Sequence, residues 1–297
     1  MSTWFYTRDF NRMVKPDDVR DPTLSAIAVS TMKILQQGYY RDDEGSWIEI
    51  DDSLMKAYEG TVVITPDLTS PGLPMLTHES KNLTEFEITS ETTLDAIERL
   101  SEEHLEDNIA ALNFASAKRP GGGFLNGAST QEESLVRSSA LYPCLSACYE
   151  DFYRENIKSK SATYSDDVIF SPDVPVIRNS DGDLLDLPYK VSFLTCAAVN
   201  KKFAKSMGTS MEDIGKCMSR RIQGILKVAE EKNCQVLVLG AFGCGVFGHE
   251  ACAIAAMFKH HLQRRFKNCF KKVVFAVPGS GRTFKAFEKM VHQLQKE

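Results

Sequence analysis

Two acidic residues, Glu132 and Glu133, follow a run of three glycines by a short interval: Gly121, Gly122 and Gly123, then seven residues, then Gln131 and the two glutamates. Three successive residues without Cβ atoms let backbone amides touch a ligand directly, or turn through positive φ. The run Leu135, Ser139, Tyr142 begins a helix directly behind, so both carboxyls fall in a first helical turn. Acids there complement the helix dipole whatever else they do. Adjacent helical residues project about 100° apart and cannot flank one glycosidic bond as the separated carboxylates of ordinary glycosidases do. One carboxyl must do the chemistry while the other holds substrate.

A second glycine loop, Gly240-Ala241-Phe242-Gly243-Cys244-Gly245-Val246-Phe247-Gly248-His249, lies between an apolar strand and a helix through Ile254, Phe258 and Leu262. Exposed amides at such a junction suit phosphate. The string Gly243-x-Gly245-x-x-Gly248 fits the dinucleotide fingerprint, but no acidic residue stands about 20 positions on, where Arg264, Arg265, Phe266, Lys267 and Asn268 are found. A Rossmann domain is disfavoured, while phosphate binding is retained. Cys244 reads as a small residue between glycines rather than a nucleophile. His260 and His261 are adjacent and face different directions, which disfavours a metal site.

The elements that position these loops are short β-branched runs alternating with helical patterns. Strands are expected over 61–65, 109–115, 168–177, 190–197, 236–241 and 273–277, giving an α/β sheet covered by helices. Ser210 can cap a helix whose stripe of Ile214, Met218, Ile222, Ile225 and Ala229 is core. Further helices are expected near Gln131, near His249 and over 283–294, with Pro143 interrupting or restarting the first. Residues 8–35 read as a helical arm and 66–74 as a long surface loop.

Composition bounds the partners. Of 297 residues, 43% are hydrophobic and 25% charged, and the formal net charge is −5, so there is no general basic footprint for direct DNA binding. Eight cysteines lie in apolar segments without zinc spacing, as expected of reduced thiols in a cytoplasmic or nuclear protein. No apolar stretch reaches 18 residues and the start lacks a secretory pattern, so no membrane association is expected.

The triplet with Gln131-Glu132-Glu133 resembles the signature of poly(ADP-ribose) glycohydrolases. The stretch Asn113-Phe114-Ala115-Ser116-Ala117-Lys118-Arg119-Pro120-Gly121-Gly122-Gly123-Phe124-Leu125-Asn126-Gly127, followed by Ser138-Ser139-Ala140-Leu141-Tyr142, is similar to the bacterial, or microbial, branch. The second loop is similar to that branch's diphosphate-binding loop. The resemblance implies a macrodomain-like three-layer α/β/α fold with a central mixed sheet over 61–297, after a helical accessory segment over 1–60. It implies that Glu133 is the general acid and that Glu132 hydrogen-bonds the ribose beside the scissile bond. The implied substrate-binding set is Ser116, Gly121, Gly122, Gly123, Asn126, Gln131, Gly243, Cys244, Gly245, Val246, Phe247 and Gly248. Ser116 stands where many macrodomains have asparagine, and Arg119 where microbial relatives often have asparagine. Phe275 is a candidate for the adenine.

The reaction so implied is hydrolysis of the ribose–ribose O-glycosidic bond of poly(ADP-ribose), trimming from the terminus and releasing ADP-ribose, with no cofactor and no metal. Partners would be the polymer or ADP-ribose and ADP-ribosylated proteins, for a monomer acting in reversal of ADP-ribosylation and the DNA damage response. A helix N-terminus lowers the pKa of the acid that the reaction needs protonated; bound diphosphate, Glu132 and exclusion of water are expected to raise it again. The rivals are a non-catalytic ADP-ribose reader, a hydrolase of mono-ADP-ribosylated protein or nucleic acid, and a nicotinamide-linked oxidoreductase.

Overall fold

The structure, a computed structural model, describes residues 9–14, 16–69 and 83–296. The described residues open with two short 3-10 turns, Phe10–Met13 and Pro16–Asp18, before a regular helix at Pro22–Gln37. The arm expected over 8–35, of which residues 8 and 15 lie outside the described residues, is thus two short turns and one helix, since proline fixes φ and removes an amide donor. Pro22 instead starts the longer helix, where Asp21 caps the amides of Thr23 and Leu24 at 2.9 and 3.0 Å, and Gly38 ends it at φ 82°.

A hairpin of β1 (Tyr39–Arg41) and β2 (Trp47–Glu49) and the helix Asp51–Gly60 lead to β3 (Val62–Ile64). Then come β4 (Glu85–Thr89), β5 (Ile109–Phe114), β6 (Val168–Arg178), β7 (Leu184–Cys196), β8 (Val236–Leu239) and β9 (Lys272–Ala276). These seven form one mixed sheet ordered β3-β6-β7-β5-β8-β9-β4. The run from β7 to β4 is parallel, and β6 is antiparallel to both its neighbours.

Every expected strand is present. The sequence reading missed β4, whose inward Phe86 and Ile88 alternate with Glu85 and Glu87. Those acids are held by Lys272 of β9 at 3.0 and 2.8 Å, so this edge strand is charged on its outer face. Of the expected loop over 66–74, residues 70–74 lie outside the described residues.

Helices cover both faces, as the central strands require. Along β5, Ile109 and Ala111 join one core with the Pro22–Gln37 and Gln131–Ser138 helices, while Ala110 and Leu112 join another under Met211–Glu231, Ala251–Gln263 and Arg282–Leu294. Ser210 caps Met211–Glu231 through the amide of Asp213 at 3.0 Å, as expected. The helix behind the glutamates ends at Ser138. Ser139 is extended and bridges Val176, and the chain restarts as Leu141–Ala147 with Pro143 in its first turn, where a missing amide costs nothing.

Candidate active site

The C-terminal end of β5 fixes the first loop. Gln131 spends its amide on that strand end: Oε1 accepts from the Phe114 amide at 2.9 Å, and Nε2 donates to the Leu112 carbonyl at 2.7 Å and the Thr93 hydroxyl at 3.1 Å. Gln131 thus sets the start of the helix rather than presenting a free amide. Gly121 and Gly122 turn at φ 67° and 58°, conformations that residues with a Cβ rarely adopt. Their turn carries the chain back over the helix start.

Both glutamates are buried, at 2% and 7% exposure, and both carboxyls converge on Gly122. A Cβ placed there would lie 2.3 Å from Oε1 of Glu133 and 3.2 Å from Oε2 of Glu132. Glu133 is held from both sides, by the Gly123 amide at 3.0 Å and by the Thr130 hydroxyl. Glu132 lies deeper. Its Oε2 accepts from the Ser116 amide at 2.7 Å, and its Oε1 is buried without a partner among the described residues.

Burial pushes the Glu132 carboxyl up to about 8, against the pull of the Ser116 amide and helped by the neighbouring charge of Glu133. Desolvation thus favours the protonated form of Glu132 near neutral pH. Beneath it stands Asn113, wholly buried, whose Nδ2 donates to the Thr195 hydroxyl at 3.2 Å. The Asn113 amide lies beside the Glu132 carboxyl, pulling its pKa down against burial, and its Oδ1 has no partner among the described residues. Tyr153 completes this floor, its phenol pushed well above the usual range by burial and then by Glu132. Sequence reasoning missed Asn113, Thr130 and Tyr153; a lone amide inside an otherwise apolar strand was the available signal for Asn113.

The remaining first-loop candidates have mixed settings. The Ser116 hydroxyl accepts from the amides of Lys118 and Arg119 at 3.3 and 3.2 Å, closing a tight turn. Asn126 lies in the 3-10 turn Phe124–Asn126, with Oδ1 buried and unpartnered among the described residues. The N-terminal segment seats on this turn: the Arg20 amide donates to the Asn126 carbonyl at 2.8 Å, and the Ser25 hydroxyl to the Leu125 carbonyl at 2.6 Å. Thr31 then bonds the Arg137 carbonyl at 2.7 Å, fastening the arm to the helix of the two glutamates.

The second loop leaves β8 at Gly240 and turns at Gly243 and Gly248, both with φ 77°. Its own hydrogen bonds use the amides of Phe242, Cys244, Gly248 and His249. Among the described residues, those of Gly243, Gly245, Val246 and Phe247 have no protein acceptor. Four free amides in one bend are the kind of arrangement that suits an anion. Val246 is 74% exposed and Phe247 packs partly against the core. Burial pushes the Cys244 thiol up to about 12, which suits a small spacer and opposes a thiolate. His249 is held below its usual range by burial and bonds the Val199 carbonyl at 2.7 Å, a structural tie.

A cavity of about 280 Å³ opens beside Gln131 at the ends of β5, β8 and β9, with Phe114, Ala241, Val277 and Pro278 in its wall and Leu24 and Ile27 of the N-terminal helix on its far side. Phe275, the sequence candidate for an adenine contact, is not there. It points into the core against Phe258 and Phe287 and is wholly buried, because it occupies an inward position of a strand covered on that face.

A mixed sheet between helical layers, with a glycine-cradled acidic pair after β5 and an amide-rich loop after β8, defines an α/β protein of macrodomain-like fold. The chain belongs to the microbial-type poly(ADP-ribose) glycohydrolases, glycoside hydrolases that act on poly(ADP-ribose): the family description "Microbial-type PARG, catalytic domain" matches residues 28–179. The poly(ADP-ribose) glycohydrolase of Thermomonospora curvata bound to the inhibitor ADP-HPD is 38% identical, with a TM-score of 0.81 over 91% of this chain and 99% of that one. The Deinococcus radiodurans enzyme in complex with ADP-ribose is 36% identical, with a TM-score of 0.73 over 81% and 98%. Comparison with curated proteins gives no significant match. Among the described residues no helix is long and apolar enough to cross a membrane.

Proposed function

We propose that this chain binds the terminal ADP-ribose unit of the polymer in the cleft between the two glycine loops, and that Glu133 is its general acid and base. Glu133 protonates the departing ribose oxygen as the C1–O bond breaks through an oxocarbenium-like state. It then takes a proton from the water that attacks C1, which returns the carboxyl to its starting form. Glu132, neutral near pH 7, donates a hydrogen bond to a hydroxyl of the same ribose, and it adds no second anion beside the acid. The free amides of the second loop take the diphosphate. The apolar cavity beyond Gln131 takes the adenine, with Phe114, Val277 and Pro278 as its walls. The polymer is trimmed from its end, since the arm seated on the Phe124–Asn126 turn closes one side of the cleft. ADP-ribosylated proteins are the carriers of that polymer.

The observation that carries this reading is the convergence of both carboxyls on Gly122, with the deeper one desolvated and the other held by an amide and a hydroxyl. Single-turnover cleavage by Glu133→Gln tests it, alongside ADP-ribose affinity by calorimetry. The expected result is loss of cleavage by at least about a thousandfold with nucleotide binding retained. Unchanged cleavage removes Glu133 from the role, and absence of nucleotide binding by the parent protein overturns the reading of the cleft.

A further inference from the structure

Cations gather at one rim of the cleft without acidic partners. Several surface bases are paired: Lys201 with Glu250, Arg220 with Asp166, Arg265 with Glu230, Arg99 with three glutamates. Among the described residues Lys118, Arg119 and Lys202 form no ion pair with a carboxylate, although acids outnumber bases 40 to 35 in the chain. All three side chains are exposed.

Their placement is fixed by the site itself. Lys118 leaves the turn closed by Ser116, whose own amide holds Glu132. Its ammonium stands 5.9 Å from the ring centroids of both Tyr164 and Phe203. Phe203 belongs to the helix Lys201–Ser206, tied to the second loop through the Lys201 amide and the Phe247 carbonyl at 3.1 Å. Lys202 runs along that loop, its Cε 3.6 Å from where a Cβ on Gly248 would stand. Phe203 keeps 39% of its surface in solvent.

We infer that Lys118, Lys202 and Phe203 form a second subsite, which receives the next ADP-ribose unit of the polymer as the terminal unit is cleaved. This rests on the proposal that the cleft holds that terminal unit. The unit on the leaving side carries an adenine and a diphosphate, and the rim offers a partly exposed ring under the Lys118 ammonium, with Lys202 along the second loop. Stacking on the ring and charge on the lysines match those two parts. The opposite rim is occupied: a Cβ on Gly127 would meet the Asp21 carbonyl at 2.1 Å, so the arm lies directly on that side. The departing chain is left with the Lys118 side.

The test uses the full-length protein and the variants Lys118→Glu, Phe203→Ala and Lys118→Arg, with two readouts: steady-state cleavage of long poly(ADP-ribose) and calorimetric binding of ADP-ribose. The subsite predicts that the first two lower kcat/KM on polymer by about tenfold, chiefly through KM, with ADP-ribose affinity unchanged. Lys118→Arg should retain activity, and Lys118→Glu should flatten the dependence of log kcat/KM on log salt by about 0.7 for each phosphate no longer neutralised. Polymer turnover by Lys118→Glu and Phe203→Ala equal to the parent's, with ADP-ribose still bound, overturns the subsite alone. A parent protein that binds no ADP-ribose overturns the reading of the cleft and this inference with it.

Discussion

Gly122 and the carboxyl of Glu133 occupy what would be the same space: a methyl group on the glycine would stand 2.3 Å from Oε1. The glycine also turns at φ 58°. The carboxyl proposed as the general acid is thus positioned by the absence of a side chain opposite it.

Gly122→Ala should therefore act mainly on chemistry. The Glu133 side chain can swing aside, so the fold survives at a cost of about 1–2 kcal/mol for a left-handed alanine. The carboxyl, moved by about an ångström, should lose on the order of a hundredfold in kcat. Thermal unfolding and single-turnover kinetics on the same preparation separate the two effects, and an active variant would show that the carboxyl tolerates the shift.

Glu132 should leave a mark on stability against pH. Its carboxyl is raised to about 8 in the folded protein from an ordinary value near 4.5. The native state therefore holds an extra proton between those values, and the contribution of Glu132 to stability is greatest below about pH 4.5 and declines as pH rises towards 8. Glu132→Gln, which keeps the shape and cannot ionise, should remove that decline. Relative to the parent the variant gains on the order of a few kcal/mol between pH 5 and pH 8. Denaturant unfolding at the two pH values reads this directly, and parallel curves for parent and variant would exclude a neutral Glu132.

Thr31 joins the arm to the helix of the two glutamates. Its hydroxyl donates to the Arg137 carbonyl and accepts from Nε of Arg178 at 2.9 Å, all of it buried. Thr31→Val keeps the volume and strands both partners, for a loss of about 2–4 kcal/mol. A urea midpoint unchanged from the parent's would mean that water replaces the hydroxyl.

The second loop separates two kinds of glycine. Gly243 turns at φ 77°, and a Cβ there would meet Ala198 at 2.9 Å and His249 at 3.0 Å, whereas around Gly245 there is open space and φ is ordinary. Gly243→Ala should cost about 1–3 kcal/mol and weaken ADP-ribose binding, while Gly245→Ala should stay within about 0.5 kcal/mol of the parent. Calorimetry and thermal melts on the pair check the contrast.

What could be read from the sequence was what repeats locally. Glycine triplet, acidic pair, strand composition and the cap at Ser210 are each written in a few adjacent residues, and each stands where it was expected. Long-range packing was hidden. Nothing local says that Asn113 and Tyr153 form the floor under Glu132, that burial falls hardest on that residue, or that the N-terminal arm rests on Leu125 and Asn126. The edge strand β4 escaped because its outward glutamates, paired to Lys272, give it the composition of a loop. Phe275 misled for a related reason: an aromatic in a terminal strand looks available until the covering helix is placed over it.

In the second loop the free donors belong to peptide groups, and the side chains at Cys244 and Val246 contribute little beyond size. Substitutions at those two positions can accumulate among descendants while the proposed phosphate cradle persists. Lineages that look divergent there by residue identity can still share one ligand, and shape rather than spelling is the sounder guide to which of them bind it.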